Sequence, residues 1–221
     1  MKNEYDIIVV GAGPSGSIAA RYAAEQGVSV LMLEKDRDVG YPVRCGEAIS
    51  KVGVEEFIPS DDKWIAAKIS KFSFNAPDGT EVILDFGEAG YVLERRIFDY
   101  ELARTAADAG VEILTRAYVN DLIFDNGRGC GVKYDYNGEQ KEVKAKVVIA
   151  ADGVESRVGR WAGLETHIDF RDMENSETQV WLDFSLSCKY IDRETYDDYV
   201  KRSEEIGKML NHMIENPEKY L

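Results

Sequence analysis

Three glycines and one acid carry the first chemical signal in this chain. Gly11, Gly13 and Gly16 stand in the run YDIIVVGAGPSG, an apolar stretch that opens into G-x-G-x-x-G, and Glu34 follows eighteen residues after Gly16 in VLMLEK. An apolar run, a glycine turn, a small-residue helix (SIAARYAAEQG), a second apolar run and then an acid together spell one βαβ unit that binds a dinucleotide. The glycines differ in what they allow. The chain must turn sharply at Gly11, a pyrophosphate must approach the backbone at Gly13, and the helix must pack against the strand at Gly16. The helix N-terminus that follows presents unpaired N–H groups and a partial positive charge to the phosphates. Glu34, at the carboxyl end of the second strand, can accept hydrogen bonds from both ribose hydroxyls, and its charge argues against the extra ribose phosphate of NADP.

Three further segments hold residues able to do chemistry. The loop GYPVRCGEAIS, Gly40 to Ser50, mixes Arg44, Cys45, Gly46 and Glu47 with little helical or strand periodicity. Loops of this composition carry function, although Arg44 paired with Glu47 and Cys45 as a small buried hydrophobe is an equal reading of the residues alone. In LERRIFDYELA, Arg95 falls at a strand end beside a helix start. There it can reach a pyrophosphate or a flavin edge, or simply pair with Glu94 or Asp99. The run KVVIAADGVESRVGRWAGL places Asp152 and Gly153 at the carboxyl end of a buried strand. In an open α/β sheet the ligand lies beyond such strand ends, so Asp152 is expected in the same crevice as Gly13. Cys45, Cys130 and Cys188 are odd in number and widely spaced, and His167 and His212 are isolated. Neither a disulfide framework nor a metal site is expected from them.

The elements that must position these residues are legible from pattern. The segment KISKFSFNAPDGTEVILDF reads as two alternating strands joined at Pro77, Asp78 and Gly79. YVLERRIFDYELARTAADAGVEIL gives a strand ending near Arg95 and an amphipathic helix with Asp99 in its first turn and Gly110 at its end. Strands follow at Val111 to Thr115, Tyr118 to Phe124, Gly129 to Tyr136 and Lys141 to Lys144, with Asn-Gly pairs at 126–127 and 137–138 marking hairpins. After the buried strand KVVIAA comes a short helix beginning near Glu155. The remainder reads as one strand, Thr178 to Leu186, and an amphipathic helix, Arg193 to Ile214, whose apolar face holds Tyr196, Tyr199, Ile206, Met209, Leu210 and Met213. With 221 residues, 44% of them hydrophobic, the chain can bury one large core or somewhat more. A net charge of −14 opposes binding to nucleic acid or to an anionic membrane through a general field. No apolar stretch is long enough to span a bilayer. The expectation is a cytoplasmic protein whose membrane contact, if any, is peripheral, local and apolar.

The segments GAGPSG with Glu34, RCGEAIS, LERRIFDYELA and ADGVESRVGRWAGL, in this order and spacing, resemble the geranylgeranyl reductase branch of the para-hydroxybenzoate-hydroxylase-like flavoproteins. The glycine and ADG pieces are shared across the whole superfamily, whereas RCGE followed by a small residue and IS points to the reductase branch. The resemblance implies an α/β, Rossmann-like FAD-binding fold with an inserted β-sheet and a C-terminal helix: an FAD-binding domain over residues 1–165, with the β-rich insertion at about 66–95, and a partial substrate domain over 166–221. It implies FAD, with Gly11, Gly13, Ser15 and Gly16 at the pyrophosphate, Glu34 on the adenosine ribose, the Val119 backbone at the adenine, and Arg44, Arg95, Asp152 and Gly153 at the same cofactor. Cys45, Gly46 and Ala48 would line the isoalloxazine side, with Ala48 standing where many family members have glycine.

In this family, reduced flavin delivers a hydride to an isolated prenyl double bond and a proton completes the saturation. Isolated alkenes are poor hydride acceptors, so such a site must exclude water and hold the alkene rigidly. Cys45 is the residue expected nearest that chemistry, as a positioning group or proton donor. The implied partners are a prenylated lipid and an electron donor, a nicotinamide cofactor or a ferredoxin. The second flavin motif of the family, GD with small residues and a proline, does not follow Gly163, and an exposed sheet edge near residue 186 would invite a homodimer. Two other readings stand beside the reductase: an FAD-binding module without turnover, and an FAD-dependent monooxygenase of the same superfamily.

Overall fold

The computed structural model describes residues 2–43, 45, 47–75, 79–154, 156–164, 182 and 191–215. The chain divides into two compact units, Met1–Glu165 and Thr166–Leu221. The first runs β1 (Glu4–Val10), α1 (Pro14–Glu25), β2 (Val30–Leu33), β3 (Ala48–Ser50), α2 (Lys51–Glu55), β4 (Ile65–Asn75), β5 (Glu81–Leu93), α3 (Arg95–Asp108), β6 (Glu112–Leu114), β7 (Ala117–Asp125), β8 (Arg128–Tyr136), β9 (Glu139–Ala150) and α4 (Arg157–Trp161). In the second unit the described residues include helix α5 (Arg193–Glu215). Of the strand expected at 178–186 only residue 182 is described, and Cys188 and His167 lie outside the described residues.

Six strands form the main sheet in the order β6-β2-β1-β9-β8-β7. β1 pairs in parallel with β2 and β9, and β2 with β6, while β8 runs antiparallel to both β7 and β9. β1 is buried on both faces, as a continuous apolar run in a parallel sheet should be. Ile8 and Val10 enter one core with Leu31, Leu33, Val132 and Val143, and Val9 enters the other with Val30, Met32 and the alanines of α1 and α3. Ala20, Ala103 and Ala106 are buried, and such small side chains let the two helices lie close on the sheet. Both Asn-Gly pairs form hairpin turns with two successive positive φ angles, 49° and 79° at Asn126 and Gly127 and 55° and 82° at Asn137 and Gly138. Only residues tolerant of that region make such turns cheaply.

β9 departs from expectation. The polar Lys141–Lys144 stretch and the apolar KVVIAA run are one strand of twelve residues. Its first half pairs antiparallel with β8 (Gln140 opposite Asp135) and its second half parallel with β1 (Val147 opposite Ile7). The change of neighbour along the strand is what changes its hydrophobic period.

The smaller sheet has the order β3-β5-β4. Residues 48–50, expected in a loop, form β3 against Gly90–Val92, too short a strand to show any periodicity. β5 is one strand of thirteen residues where two were expected. The pattern breaks because the register with β4 jumps between Ile69 and Lys71, leaving extra residues on β5 around Gly87, whose φ is 69°. Towards the hairpin tip, Phe72 and Phe74 face Leu84 and Val82 across the ladder, and Phe72, Phe74 and Val82 are exposed.

A third core of Val54, Ile58, Trp64, Tyr91, Leu93, Phe98 and Leu102 fastens this sheet to α3. Trp64, 1% exposed, meets Phe98 edge-on at 5.1 Å and Tyr91 at 6.2 Å. Such aromatic contacts add roughly 0.5–1.5 kcal/mol each beyond area burial. α3 begins at Arg95, so Asp99 lies one turn inside the helix rather than in its first turn, and it is buried. No helix among the described residues is long and apolar enough to cross a membrane.

The amino-terminal edge of the core is closed by Asp6. Its carboxylate accepts from the Ser29 N–H at 2.8 Å, the Ser29 hydroxyl at 2.7 Å and Lys146 Nζ at 2.6 Å. The Lys146 hydrogen bond, followed by those from Ser29, holds the Asp6 carboxyl well below its ordinary value of 3.8. A depressed folded value means that the contribution is complete above 3.8 and is lost as pH falls further. The stability gap between the native chain and Asp6→Asn, measured by urea unfolding, is therefore expected to be widest at about pH 7 and to shrink by about pH 3. A gap that does not narrow on acidification would remove Asp6 from the acid-sensitive contacts.

Candidate functional site

The carboxyl ends of four parallel strands, β6, β2, β1 and β9, are tied together in a row. The Gly11 N–H donates to the Leu33 carbonyl at 2.8 Å, the Ala151 N–H to Val10 at 2.9 Å, and the Glu34 N–H to Leu114 at 2.9 Å. At this junction the backbone leaves no room for side chains. A Cβ at Gly11, where φ is +100°, would collide with the Ala151 carbonyl oxygen, and one at Gly16 would collide with the Gly11 carbonyl oxygen. A Cβ at Gly13 would meet nothing within 4 Å. Gly11 and Gly16 are thus required by packing, whereas packing places no demand on Gly13. Gly13 is also the N-cap of α1, with Pro14 in the first helical turn. Open space over backbone N–H groups at the start of a twelve-residue helix suits an anion.

Glu34 closes the turn from the side. Its carboxylate accepts from the Ala12 N–H at 2.8 Å through Oε2 and from the Asp36 N–H at 2.9 Å through Oε1. A carboxylate has about four acceptor positions, so two remain for the hydroxyls of a ribose. The Glu34 carbonyl meanwhile accepts from Ala117 N–H at 2.8 Å, which brings the start of β7, with Tyr118 and Val119, alongside.

Gly11, Gly13, Glu34, Cys45, Arg95, Val119, Asp152 and Gly153 line one cleft of about 330 Å³. Ser15 and Gly16 do not line it: Ser15 is exposed at the helix start and Gly16 is buried under the turn. Ala48 lies on β3, where it pairs with Val92, and does not line this cleft. Ladder pairing fixes it there. Arg44 and Gly46 lie outside the described residues.

Two placements choose between alternatives that the sequence leaves open. Cys45 is exposed rather than buried, and its Sγ receives the Glu47 N–H at 3.5 Å. Arg95 does pair with Asp99, through a two-point fork: Nε to Oδ1 and Nη2 to Oδ2, both at 2.8 Å. That ion pair, with Asp99 largely withdrawn from solvent, raises the Arg95 guanidinium above its ordinary value and keeps it charged. The Asp152 carboxylate accepts from Val158 N–H at 2.9 Å, so it caps the first turn of α4 while facing the cleft.

Tyr118 and Arg157 also line this cleft and escaped the sequence reading. The Arg157 guanidinium lies 5.7 Å from the centre of the Tyr118 ring and donates to its hydroxyl. The available signal was a cation five residues after Asp152 in a chain of strong negative charge, but nothing in the sequence places Tyr118 opposite it. No group of three His, Cys, Asp or Glu side chains suited to a metal occurs among the described residues.

The glycines supply a direct test. Gly11→Ala and Gly16→Ala are expected to lower stability by about 1–3 kcal/mol or more through backbone overlap, whereas Gly13→Ala should melt within a degree or two of the native chain. Equal losses at all three positions, read by thermal denaturation, would refute the separation of packing from ligand approach.

Comparison with known proteins fits this geometry. The family model described as FAD binding domain matches residues 4–213. A digeranylgeranylglycerophospholipid reductase of Methanocella arvoryzae is 48% identical over 86% of this chain and 50% of its own length. A second protein of that name from Methanococcoides burtonii is also 48% identical, over 79% of this chain and 44% of its own. The chain therefore spans about half the length of the curated relatives it matches. Among solved structures, a geranylgeranyl bacteriochlorophyll reductase-like protein from Thermoplasma acidophilum aligns with a TM-score of 0.74 at 44% identity, covering 77% of this chain and 44% of that one. A myxobacterial chondrochloren halogenase at 23% identity and a TM-score of 0.60 shares the fold. With its glycine junction, the Glu34 carboxylate closing the turn and a match running through most of its length, the chain belongs to the FAD binding domain family.

Proposed function

We propose that this chain is the cofactor-holding part of an FAD-dependent reductase that saturates double bonds in the geranylgeranyl chains of archaeal-type membrane lipids. The observation that carries this reading is the single cleft shared by Gly13, Glu34, Cys45 and Arg95, in a chain 48% identical to a protein named for that reduction. The residues present fit FAD. Gly13 and the N-terminus of α1 would hold the pyrophosphate, Glu34 the ribose, the Val119 backbone the adenine, and the Cys45 loop with Arg95 the flavin side. FAD, when bound, supplies the hydride chemistry that no side chain here possesses.

The protein's own residues do the rest. The fork between Arg95 and Asp99 fixes a cation beside the loop, which offsets part of the chain's negative field where a phosphate-bearing ligand must enter. Cys45 offers an S–H proton at the exposed loop, which would go to the carbon left carbanionic as hydride reaches its neighbour, leaving a thiolate to be reprotonated from solvent. A prenylated lipid is the proposed substrate, with electrons from a nicotinamide cofactor or a ferredoxin. Peripheral contact with a membrane surface would bring the lipid within reach, and a homodimer is the proposed assembly. The alternative reading is an FAD-binding module without turnover.

The readings separate in two steps. Glu34→Ala should weaken FAD retention after gel filtration by about tenfold or more, the loss expected when a charged hydrogen-bonding partner of about 1.5–3 kcal/mol is removed. Retained stoichiometric flavin absorbance in that variant would overturn the ribose assignment. In a prenyl-lipid reduction assay, Cys45→Ala should retain flavin and lose turnover. Full turnover would dismiss Cys45 from the chemistry, and flavin retention without turnover in the native chain would establish the inert module.

A further inference from the structure

We propose that Tyr118 is the wall on which the adenine of FAD rests and that Arg157 holds its ring in place, so that the pair selects an adenine dinucleotide over a flavin mononucleotide. This deepens the reading of the cleft as an FAD site and rests on it. With the pyrophosphate at Gly13 and the ribose at Glu34, the base must continue away from α1. On that side the Glu34 carbonyl accepts from Ala117 N–H at 2.8 Å, so the start of β7 is the next element met. Ala117, Tyr118 and Val119 all line the cleft. Side chains alternate along a strand, and three consecutive residues border one cleft only where it runs along the strand's edge. β7 ends the order of the described strands in the main sheet, and an outermost strand offers unpaired N–H and C=O groups on its open side. The donors and acceptors of adenine lie in its ring plane and match such an edge. A base bonded there lies close to the plane of the sheet, and a side chain standing off the sheet meets its face.

Tyr118 supplies that side chain. Ala117 and Val119 turn into the core, 1% and 7% exposed, whereas Tyr118 stands on the opposite side of β7 at 40%. An aromatic ring gives a base a broad flat contact. By itself such a ring on a strand edge swings between rotamers, but this one is tethered. Arg157 donates from Nη1 to the Tyr118 hydroxyl, and its guanidinium carbon lies 5.7 Å from the ring centre. Arg157 is the first residue of α4, whose first turn Asp152 caps through the Val158 N–H at 2.9 Å. Both Asp152 and Arg157 line the cleft with Tyr118, so the tether ties the open edge of β7 to the carboxyl end of β9. An exposed pair of this kind adds little to stability. Its loss should therefore show in binding and not in folding.

Calorimetric titration of the full chain with FAD, ADP and FMN separates the two ends of the cleft. ADP carries the adenine without the flavin, and FMN the flavin without the adenine. Tyr118→Ala should weaken FAD and ADP by about tenfold each, the size of one base–aromatic stack, and leave FMN within about twofold of the native chain. Tyr118→Phe keeps the ring and loses the hydroxyl. It should weaken ADP by about threefold, the size of a modest hydrogen bond, and Arg157→Gln should do the same because each cuts the same tether. The two changes combined should cost no more than either alone. Additive losses would make Arg157 a separate cation for the phosphates and overturn its hold on the ring. Native affinity for ADP in Tyr118→Ala overturns the wall, and so does an equal loss of FMN in that variant, which would mark a general disturbance of the cleft. Melting temperatures of all variants should stay within a degree or two of the native chain. If the native chain binds ADP but not FAD, and Tyr118→Ala still loses ADP, the FAD reading fails and the adenine wall stands. A native chain that takes up neither overturns both.

Discussion

Backbone crowding at the meeting point of β1, β9 and α1 governs the rest of this molecule. Gly11 lies against the Ala151 carbonyl and Gly16 against the Gly11 carbonyl, with no space for even a methyl group. The contact draws the first turn of α1 down between two strand ends, and in doing so leaves the helix N-terminus pointing across the top of the sheet. Glu34, the β7 entry and the α4 cap all take their positions around this junction through short hydrogen bonds from backbone N–H groups, two to carboxylates and one to a backbone carbonyl. Hydrophobic burial supplies most of the stability, but it is indifferent to direction. The glycine contacts supply direction.

Charge is managed locally. A chain at −14 repels phosphates at long range, so attraction must come from dipoles and cations held at short range, where screening matters less. The α1 terminus, the Arg95 fork and Arg157 beside Tyr118 are such elements, and all three border one cleft. Many of the surface ion pairs, such as Arg37 with Asp38 or Lys71 with Asp85, are exposed and contribute little to stability.

Much of this was legible in the sequence, for identifiable reasons. β1, α1, β2 and Glu34 were legible because a glycine turn between two apolar runs has few other uses, and the Asn-Gly hairpins because their φ angles restrict residue choice. β3 was not, since three residues carry no period, and β5 and β9 were split because a register jump in one and a change of partner in the other interrupt the alternation. At the site, residues on the nucleotide motif were found by spacing. The Arg95 and Asp99 fork was visible only as one of two alternatives, because a spacing of four on a helix is shared by many ordinary surface pairs. Tyr118 and Arg157 were missed because they come from distant segments joined only by the sheet.

The double role of β9 bears on how this fold can change over evolutionary time. One uninterrupted strand carries the Asn137–Gly138 hairpin at one end and Asp152 just beyond the other. Residues added at the hairpin tip are absorbed by the turn and leave the cleft untouched. A single residue gained or lost between Gln140 and Ala150 would reverse which side chains face each core and would carry Ala151 out of contact with Gly11. Lineages descended from such a chain should therefore vary freely in hairpin length and composition while keeping the length of this strand fixed.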